Sequence, residues 1–183
     1  MRYLEVGVFE GRSLLWMLEH VLTDPTSRAT AIDISSGDYE GRYRSNLEHS
    51  GCAGKVTTLK APSRAALREL PRESFDIAYI DGSHATADVL EDAVLSWQVL
   101  KPGGILIFDD NRWIGSLHAG HAREAASDWP KPAIDAFCRC FRGKFDVVHN
   151  GYQLILGKRA GAPGSGDRPR ARTTHGRPAS CTG

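Results

Sequence analysis

Apolar and polar positions alternate in short blocks along this chain, and the length of each block separates strands from helices. Five apolar runs, Tyr3 to Val8, Ala29 to Ile34, Val56 to Lys60, Phe75 to Ile80 and Gly104 to Phe108, read as strands. Stretches of helical spacing lie between them, near Arg12 to Leu22, Tyr39 to His49, Ser63 to Leu70 and Ala85 to Leu100. In the last of these, Val89, Ala93, Trp97 and Leu100 recur at helical spacing and make one buried face. Lys101-Pro102-Gly103-Gly104 then predicts a stop and a reversal, because Pro cannot continue a helix and Gly tolerates the turn. A helical piece from about Lys131 to Phe141 precedes two closing runs, Phe145 to His149 and Tyr152 to Gly157, and the Asn150-Gly151 between them predicts an antiparallel hairpin. The whole pattern predicts an α/β fold: a Rossmann-like, doubly wound, mostly parallel sheet that ends in that hairpin.

Composition limits what such a sheet can be. With 183 residues, 41% hydrophobic and 25% charged, the chain has material for one well-buried domain, placed at residues 1–159. Residues 160–183, rich in Gly, Pro, Arg and Ser, have too little apolar content to offset the entropy of ordering and are expected to be a disordered tail. That tail holds four Arg against one Asp, so the body of the chain carries 19 basic and 21 acidic residues and is no nucleic-acid surface by charge. Cys52, Cys138, Cys140 and Cys181 form no CxxC pair and have no His at zinc-ligand spacing, which favours free thiols in a reducing compartment. No apolar run reaches the ~18 residues of a membrane span, and the N-terminus lacks a signal pattern. The expectation is a cytoplasmic protein with no membrane or nucleic-acid partner; self-association is left open.

In a sheet of this kind ligands sit beyond the carboxyl ends of the strands, where the connections diverge. The first strand runs into Glu5-x-Gly7-x-x-x-Gly11 at such a place. Gly7 allows a sharp turn, Gly11 allows backbone to approach a ligand, and Ser13 sits where free helix N–H groups favour an anion. Asp33, ending the second strand, can accept hydrogen bonds from both hydroxyls of a ribose. A pyrophosphate cradle wants G-x-G-x-x-G, and Phe9 stands where its second glycine would be. A nucleoside with an amino-acid tail needs no such cradle, and Glu5 offers negative charge to an ammonium or sulfonium. These features point to S-adenosylmethionine.

The same residues, followed by "FDIAYIDGSHATADVLEDAVLSWQVLKPGGILIFDD" from Phe75 to Asp110, resemble the class I S-adenosylmethionine-dependent methyltransferases. Within that class they look most like the small-molecule O-methyltransferases of the catechol and macrocin type, over about residues 3 to 158. The resemblance implies that Gly7, Gly11 and Ser13 face the methionine part, Asp33 the ribose and Ser63 the adenine edge, with Ile34 packed on the adenosine and Asp81 at the cofactor. It implies a small-molecule hydroxyl as acceptor. Members usually carry one or more helices before the glycine motif, whereas this chain starts inside the first strand, so a truncated start and weakened cofactor affinity are expected.

Asp81 ends the fourth strand and Asp109-Asp110-Asn111 end the fifth; adjacent strands lie about 4.8 Å apart, so these side chains can share one ion. Two carboxylates and an amide oxygen suit Mg²⁺, and in the resembling metal-dependent enzymes an Asp and an Asp-Asn pair do this work, which places the ion on Asp81, Asp110 and Asn111. Asp109 and Asp110 can equally cap a turn. His84, in "DGSH", is suited to take a proton from the acceptor hydroxyl. Catechol-type enzymes have a lysine near this place, and an N-capping or substrate-orienting His84 is the other reading. His118, His121 and His149 are weaker candidates. The segment from Arg112 to Pro130 is expected to cover the substrate, with Trp113 and Trp129 as walls. Two other functions stay open, a nucleotide-dependent oxidoreductase and a cofactor-binding protein of weak activity.

Overall fold

The computed structural model describes residues 1–34, 37–113 and 129–160. In chain order the elements are β1 (Arg2–Val6), α1 (Arg12–His20), β2 (Arg28–Asp33), α2 (Asp38–His49), β3 (Val56–Lys60), α3 (Ser63–Glu69), β4 (Phe75–Ile80), α4 (Thr86–Val99), β5 (Leu100–Phe108), α5 (Pro130–Cys140), β6 (Phe145–Asn150) and β7 (Leu154–Lys158). These strands form one sheet in the order β3-β2-β1-β4-β5-β7-β6. β1 to β5 run parallel, and β7 lies antiparallel to both β5 and β6. Strand order reverses between β1 and β4, and this is where a doubly wound sheet opens a crevice at its carboxyl edge.

Period-two alternation builds a core on each face. On β1, Tyr3 faces one side, where Leu14, Met17 and Leu18 of α1 and Tyr43 of α2 cover it. Leu4 and Val6 face the other side, against Leu67 of α3, Val89, Ala93 and Trp97 of α4, and Ile134 and Phe137 of α5. Phe137 is fully buried, edge-on to Phe108 and Trp97 and stacked on Phe141. Burial of a side chain that size contributes roughly 1.5–3 kcal/mol. It fixes α5 against the end of β5.

Two local expectations are corrected. Pro102-Gly103-Gly104 does not separate helix from strand; α4 stops at Val99 and the triplet lies inside β5. There the register shifts between Phe75↔Leu100 and Ile77↔Ile105, so the extra residues form a bulge. A side chain at Gly104 would meet Leu100 at 2.8 Å and the Asp76 carbonyl at 3.0 Å, which is why glycine stands at the bulge. The Asn150-Gly151 hairpin does form, but β7 starts at Leu154, so its connection is longer than a two-residue turn. Tyr152 is taken out of the strand because its carbonyl accepts the Asn111 amide and its hydroxyl reaches Asp110.

Cys52, Cys138 and Cys140 are free thiols. No helix among the described residues is long and apolar enough to cross a membrane. The expected tail, Cys181, and most of the expected covering segment, with His118 and His121, lie outside the described residues.

Candidate functional site

A cleft of about 640 Å³ follows the carboxyl ends of β3, β2, β1 and β4. Gly7, Phe9, Asp33, Ile34, Ser63 and Asp81 line it, joined by Tyr39 and by acidic residues of α4. Gly7 has φ +84, and a Cβ there would stand 2.1 Å from the Asp81 carbonyl oxygen. The loop after β1 therefore touches the loop after β4 backbone to backbone, which only glycine permits. Asp33 holds that loop from the other side: one of its carboxylate oxygens accepts the amides of Val8 at 2.7 Å and Phe9 at 2.9 Å. Phe9, itself at φ 49, is left with an exposed ring tilted against Tyr39 at 4.5 Å. With Ile34, 71% exposed, these rings give the cleft an apolar mouth. Its acidic lining residues, Asp33, Asp81, Asp88, Glu91 and Asp92, outnumber the one basic residue, Arg64, a balance that disfavours a phosphate.

Three of the expected cofactor residues stand behind the cleft instead. Glu5 is 0% exposed; its carboxyl accepts the hydroxyls of Tyr3 and Ser13, each at 2.5 Å. Burial pushes it up to about 7 in spite of both hydrogen bonds. Ser13 therefore directs its hydroxyl to Glu5 and not to an anion at the helix N-terminus. Gly11 caps α1 at φ +89, and a Cβ there would meet the Tyr43 ring at 3.1 Å, so it makes room for α2. All three shape the loop from beneath.

The cleft meets a second group of side chains at Asp81. Oxygens of Asp81, Asp109 and Asp110 lie within 4.8 Å of one another. Burial, with Asp109 and Asp110 adding their repulsion, raises Asp81 to about 8. An all-oxygen set of crowded carboxylates fits a hard divalent cation. Asp109 belongs to this group, which the sequence reading did not give it. Asn111 is buried, and its amide nitrogen donates to the Asn150 side chain at 3.2 Å and the Gly151 carbonyl at 3.0 Å, anchoring the hairpin.

His84 leans on the same group. Its Nε2 lies 2.7 Å from Asp110 Oδ2, and its ring tilts against Trp113 with centroids 4.7 Å apart. Tyr152 donates its hydroxyl to the other oxygen of Asp110, and Gln153 donates to Asp109 at 3.0 Å and to the Tyr79 hydroxyl at 3.0 Å. Asp110 sits at φ 56, a conformation costly for a non-glycine residue and held here by those partners. Trp129 meets this end through its carbonyl, which accepts the Thr86 hydroxyl. His149 is an exposed residue of β6. Tyr152 and Gln153 carried no signal beyond their place after a hairpin turn, and Tyr39 none beyond its aromaticity; Phe9 was marked only as a break in the pyrophosphate pattern.

A methyltransferase-domain family model matches residues 4–111. Caffeoyl-CoA O-methyltransferase of Populus kitakamiensis is 29% identical over 135 residues, 72% of this chain and 54% of that protein. Tricin synthase 1 of Oryza sativa subsp. japonica is 31% identical over 124 residues, 63% of this chain and 47% of its own. The chain thus spans about half the length of these plant relatives. Among solved structures, the O-methyltransferase TomG of Streptomyces achromogenes, in complex with S-adenosylmethionine, has the same fold: TM-score 0.66 at 20% identity, over 86% of this chain and 73% of that one. With the family match spanning both the glycine loop and the Asp81 to Asn111 rim, the chain belongs to the methyltransferase-domain family of the class I, S-adenosylmethionine-dependent methyltransferases.

Proposed function

We propose that this chain catalyses methyl transfer from S-adenosylmethionine to a hydroxyl oxygen of a small molecule. The observation that carries the reading is an acidic, elongated cleft whose β4 end opens on the His84–Asp110 pair. The cofactor, when bound, would supply an electrophilic methyl group: an oxygen nucleophile bonds to its carbon in line as the carbon–sulfur bond breaks, and S-adenosylhomocysteine leaves with the electron pair. Asp33 and the Gly7 turn hold the cofactor loop in shape, and Phe9, Ile34 and Tyr39 exclude water from the adenosine. With Asp110 ionised, His84 carries its hydrogen on Nε2 and donates it there, which leaves Nδ1 to accept the acceptor's proton. Asp110 then stabilises the imidazolium, and Tyr152 holds Asp110 in the orientation this needs. Where a hard divalent cation is present, Asp81, Asp109 and Asp110 would hold it, and it would polarise the acceptor hydroxyl.

The names of the plant relatives support an aromatic or phenolic acceptor, and Trp113 beside His84 offers a flat ring surface for one. Calorimetry with S-adenosylhomocysteine and, separately, with NAD tests the cofactor: the first is expected to bind and the second not, since the cleft walls repel a pyrophosphate. Tighter binding of NAD would overturn the reading in favour of an oxidoreductase. Radiolabelled methyl transfer to a panel of phenolic and catechol acceptors, with and without Mg²⁺, tests the reaction and the ion together.

A further inference from the structure

Asp109 keeps costly company. One of its carboxylate oxygens lies within 4.8 Å of an oxygen of Asp81 and of one of Asp110. Among the described residues no Lys or Arg is ion-paired with any of the three; the basic side chain at the group is His84, on Asp110. Carboxylates this close repel one another, so uncharged groups must hold them together. On Asp110 the Tyr152 hydroxyl does so. On Asp109 the work falls to a pair that the chemistry described so far leaves unused.

Strand register brings that pair to it. β5 and β7 run antiparallel through Ile107↔Ile155 and Phe108↔Leu154, so Gln153 is the next residue across from Asp109. β4 meets β5 through Tyr79↔Ile107, and strand alternation puts Tyr79, Asp109 and Gln153 on one face of the sheet. There the side chains close a ring. The Gln153 amide nitrogen donates to Asp109 Oδ1 and to the Tyr79 hydroxyl oxygen, each at 3.0 Å, and the Tyr79 hydroxyl is itself hydrogen-bonded to Asp109. Burial, and after it the charge of Asp109, raises Tyr79 far above its ordinary value, so the hydroxyl stays a donor. Both donors are neutral. They fix the carboxylate without cancelling its charge, which a Lys or Arg at position 153 would do.

We propose that Gln153, together with Tyr79, is a positioning residue: it holds Asp109 in the acidic group and thereby sets the affinity of that group for a hard divalent cation. This rests on the reading given above in which Asp81, Asp109 and Asp110 hold the ion. Neither Gln153 nor Tyr79 belongs to the carboxylate group; both act through Asp109. A carboxylate fixed in advance has less rotamer freedom to lose when the ion arrives, and it keeps the charge that attracts the ion. The hairpin fixes Gln153 in turn, because its carbonyl accepts the Gly151 amide at 2.9 Å. The start of β7 therefore controls a property of the β4–β5 rim.

The test uses the full chain with Mn²⁺ alone as the probe, followed by calorimetry and by loss of the free-ion signal in electron paramagnetic resonance. The wild type is expected to bind Mn²⁺ and Asp109→Ala to lose it. Gln153→Met keeps the length and removes the donors, and it should weaken Mn²⁺ by roughly 10- to 100-fold, the usual effect of losing a partner that orients a ligand. Tyr79→Phe should weaken it in the same direction. S-adenosylhomocysteine binding and the unfolding midpoint should stay near wild type in both. Gln153→Lys restores a donor and adds a positive charge, so it should bind Mn²⁺ no better than Gln153→Met; wild-type affinity there would refute the need for a neutral donor. Mn²⁺ binding unchanged in Gln153→Met overturns the proposal. So does a joint loss of Mn²⁺ and S-adenosylhomocysteine binding, which would make the ring a clasp of the sheet. Tyr79 is buried, and if Tyr79→Phe does not fold, the half-buried Gln153 decides. A wild type that takes up no Mn²⁺ overturns the proposal too, and leaves methyl transfer, read separately from S-adenosylhomocysteine binding and labelled transfer, standing.

Discussion

At the β3–β2–β1 end of the rim the cleft is built from backbone and from side chains that come one from each strand end; at the β4–β5 end the site is a network assembled from three separate segments. In the first region Gly7 lies against the Asp81 carbonyl and Asp33 gathers two successive amides, so the loop is fixed by contacts its own local sequence provides. In the second, His84, Asp110 and Tyr152 come from the loops after β4, β5 and β6 and hold one another through their side-chain ends. The difference teaches where each half is vulnerable. The cofactor half should fail through geometry, the acceptor half through chemistry.

The strongest way to break that contrast is Gly7→Val. A side chain there collides with backbone atoms of Asp81 and Gly82, which cannot step aside as a flexible side chain could. Loss of detectable S-adenosylhomocysteine binding is expected, with a destabilisation of about 3 kcal/mol or more in thermal unfolding. A Gly7→Val protein that binds like the wild type would mean that the two loops do not touch in this way. His84→Ala should do the reverse: turnover falls ~10² to 10⁴-fold, the usual range for a general base, while binding of S-adenosylhomocysteine stays within a few-fold. A rise in the Michaelis constant alone would make His84 a holder of the acceptor.

A smaller effect separates the support beneath the cofactor loop from the cleft itself. Glu5 holds its proton up to about pH 7 in the folded chain and releases it near 4.5 when unfolded. Between those values the folded state binds more protons, so stability falls as pH rises from about 4.5 to 7 and stays at the lower level above that. The loss assigned to Glu5 is on the order of 3 kcal/mol. Asp81 and Asp92, raised as well, act in the same direction. Glu5→Gln should therefore show a shallower decline in urea unfolding between pH 5 and pH 7, and an identical decline in both proteins would remove Glu5 from the account. The smallest change expected is for Tyr152→Phe. Losing one donor to Asp110 should cost turnover several-fold, because Asp110 keeps His84 but is less firmly oriented. No change in initial rates would show that Tyr152 serves the hairpin alone.

How much of this could be read in advance follows the same division. Gly7 and Asp33 were legible because a turn after a strand and an acid at the next strand's end are local patterns with fixed spacing. Even so, a pattern gives position and not direction: Glu5 in β1 and Ser13 in α1 flank the expected loop, yet they bond to each other beneath it. The strands were legible from alternation, whereas the bulge at Pro102–Gly104 was not, since the same glycines allow a reversal or a kink within a strand. Tyr152 and Asp109 depend on which strand ends the sheet brings side by side. That β7 lies between β5 and β6 is a matter of tertiary pairing, with no trace in the local sequence of either partner.

The close backbone approach of Gly7 to Asp81 and Gly82 has one more consequence, which concerns redesign. It is a seam: on one side lies the loop that Asp33 gathers, on the other the network of His84, Asp110 and Tyr152. Loops beyond β4 and β5 could be exchanged wholesale for those of a relative with a different acceptor, provided that the Asp81 carbonyl keeps its place. A graft that respects this approach should leave the loop after β1 in shape, and one that shifts it should disturb both halves at once.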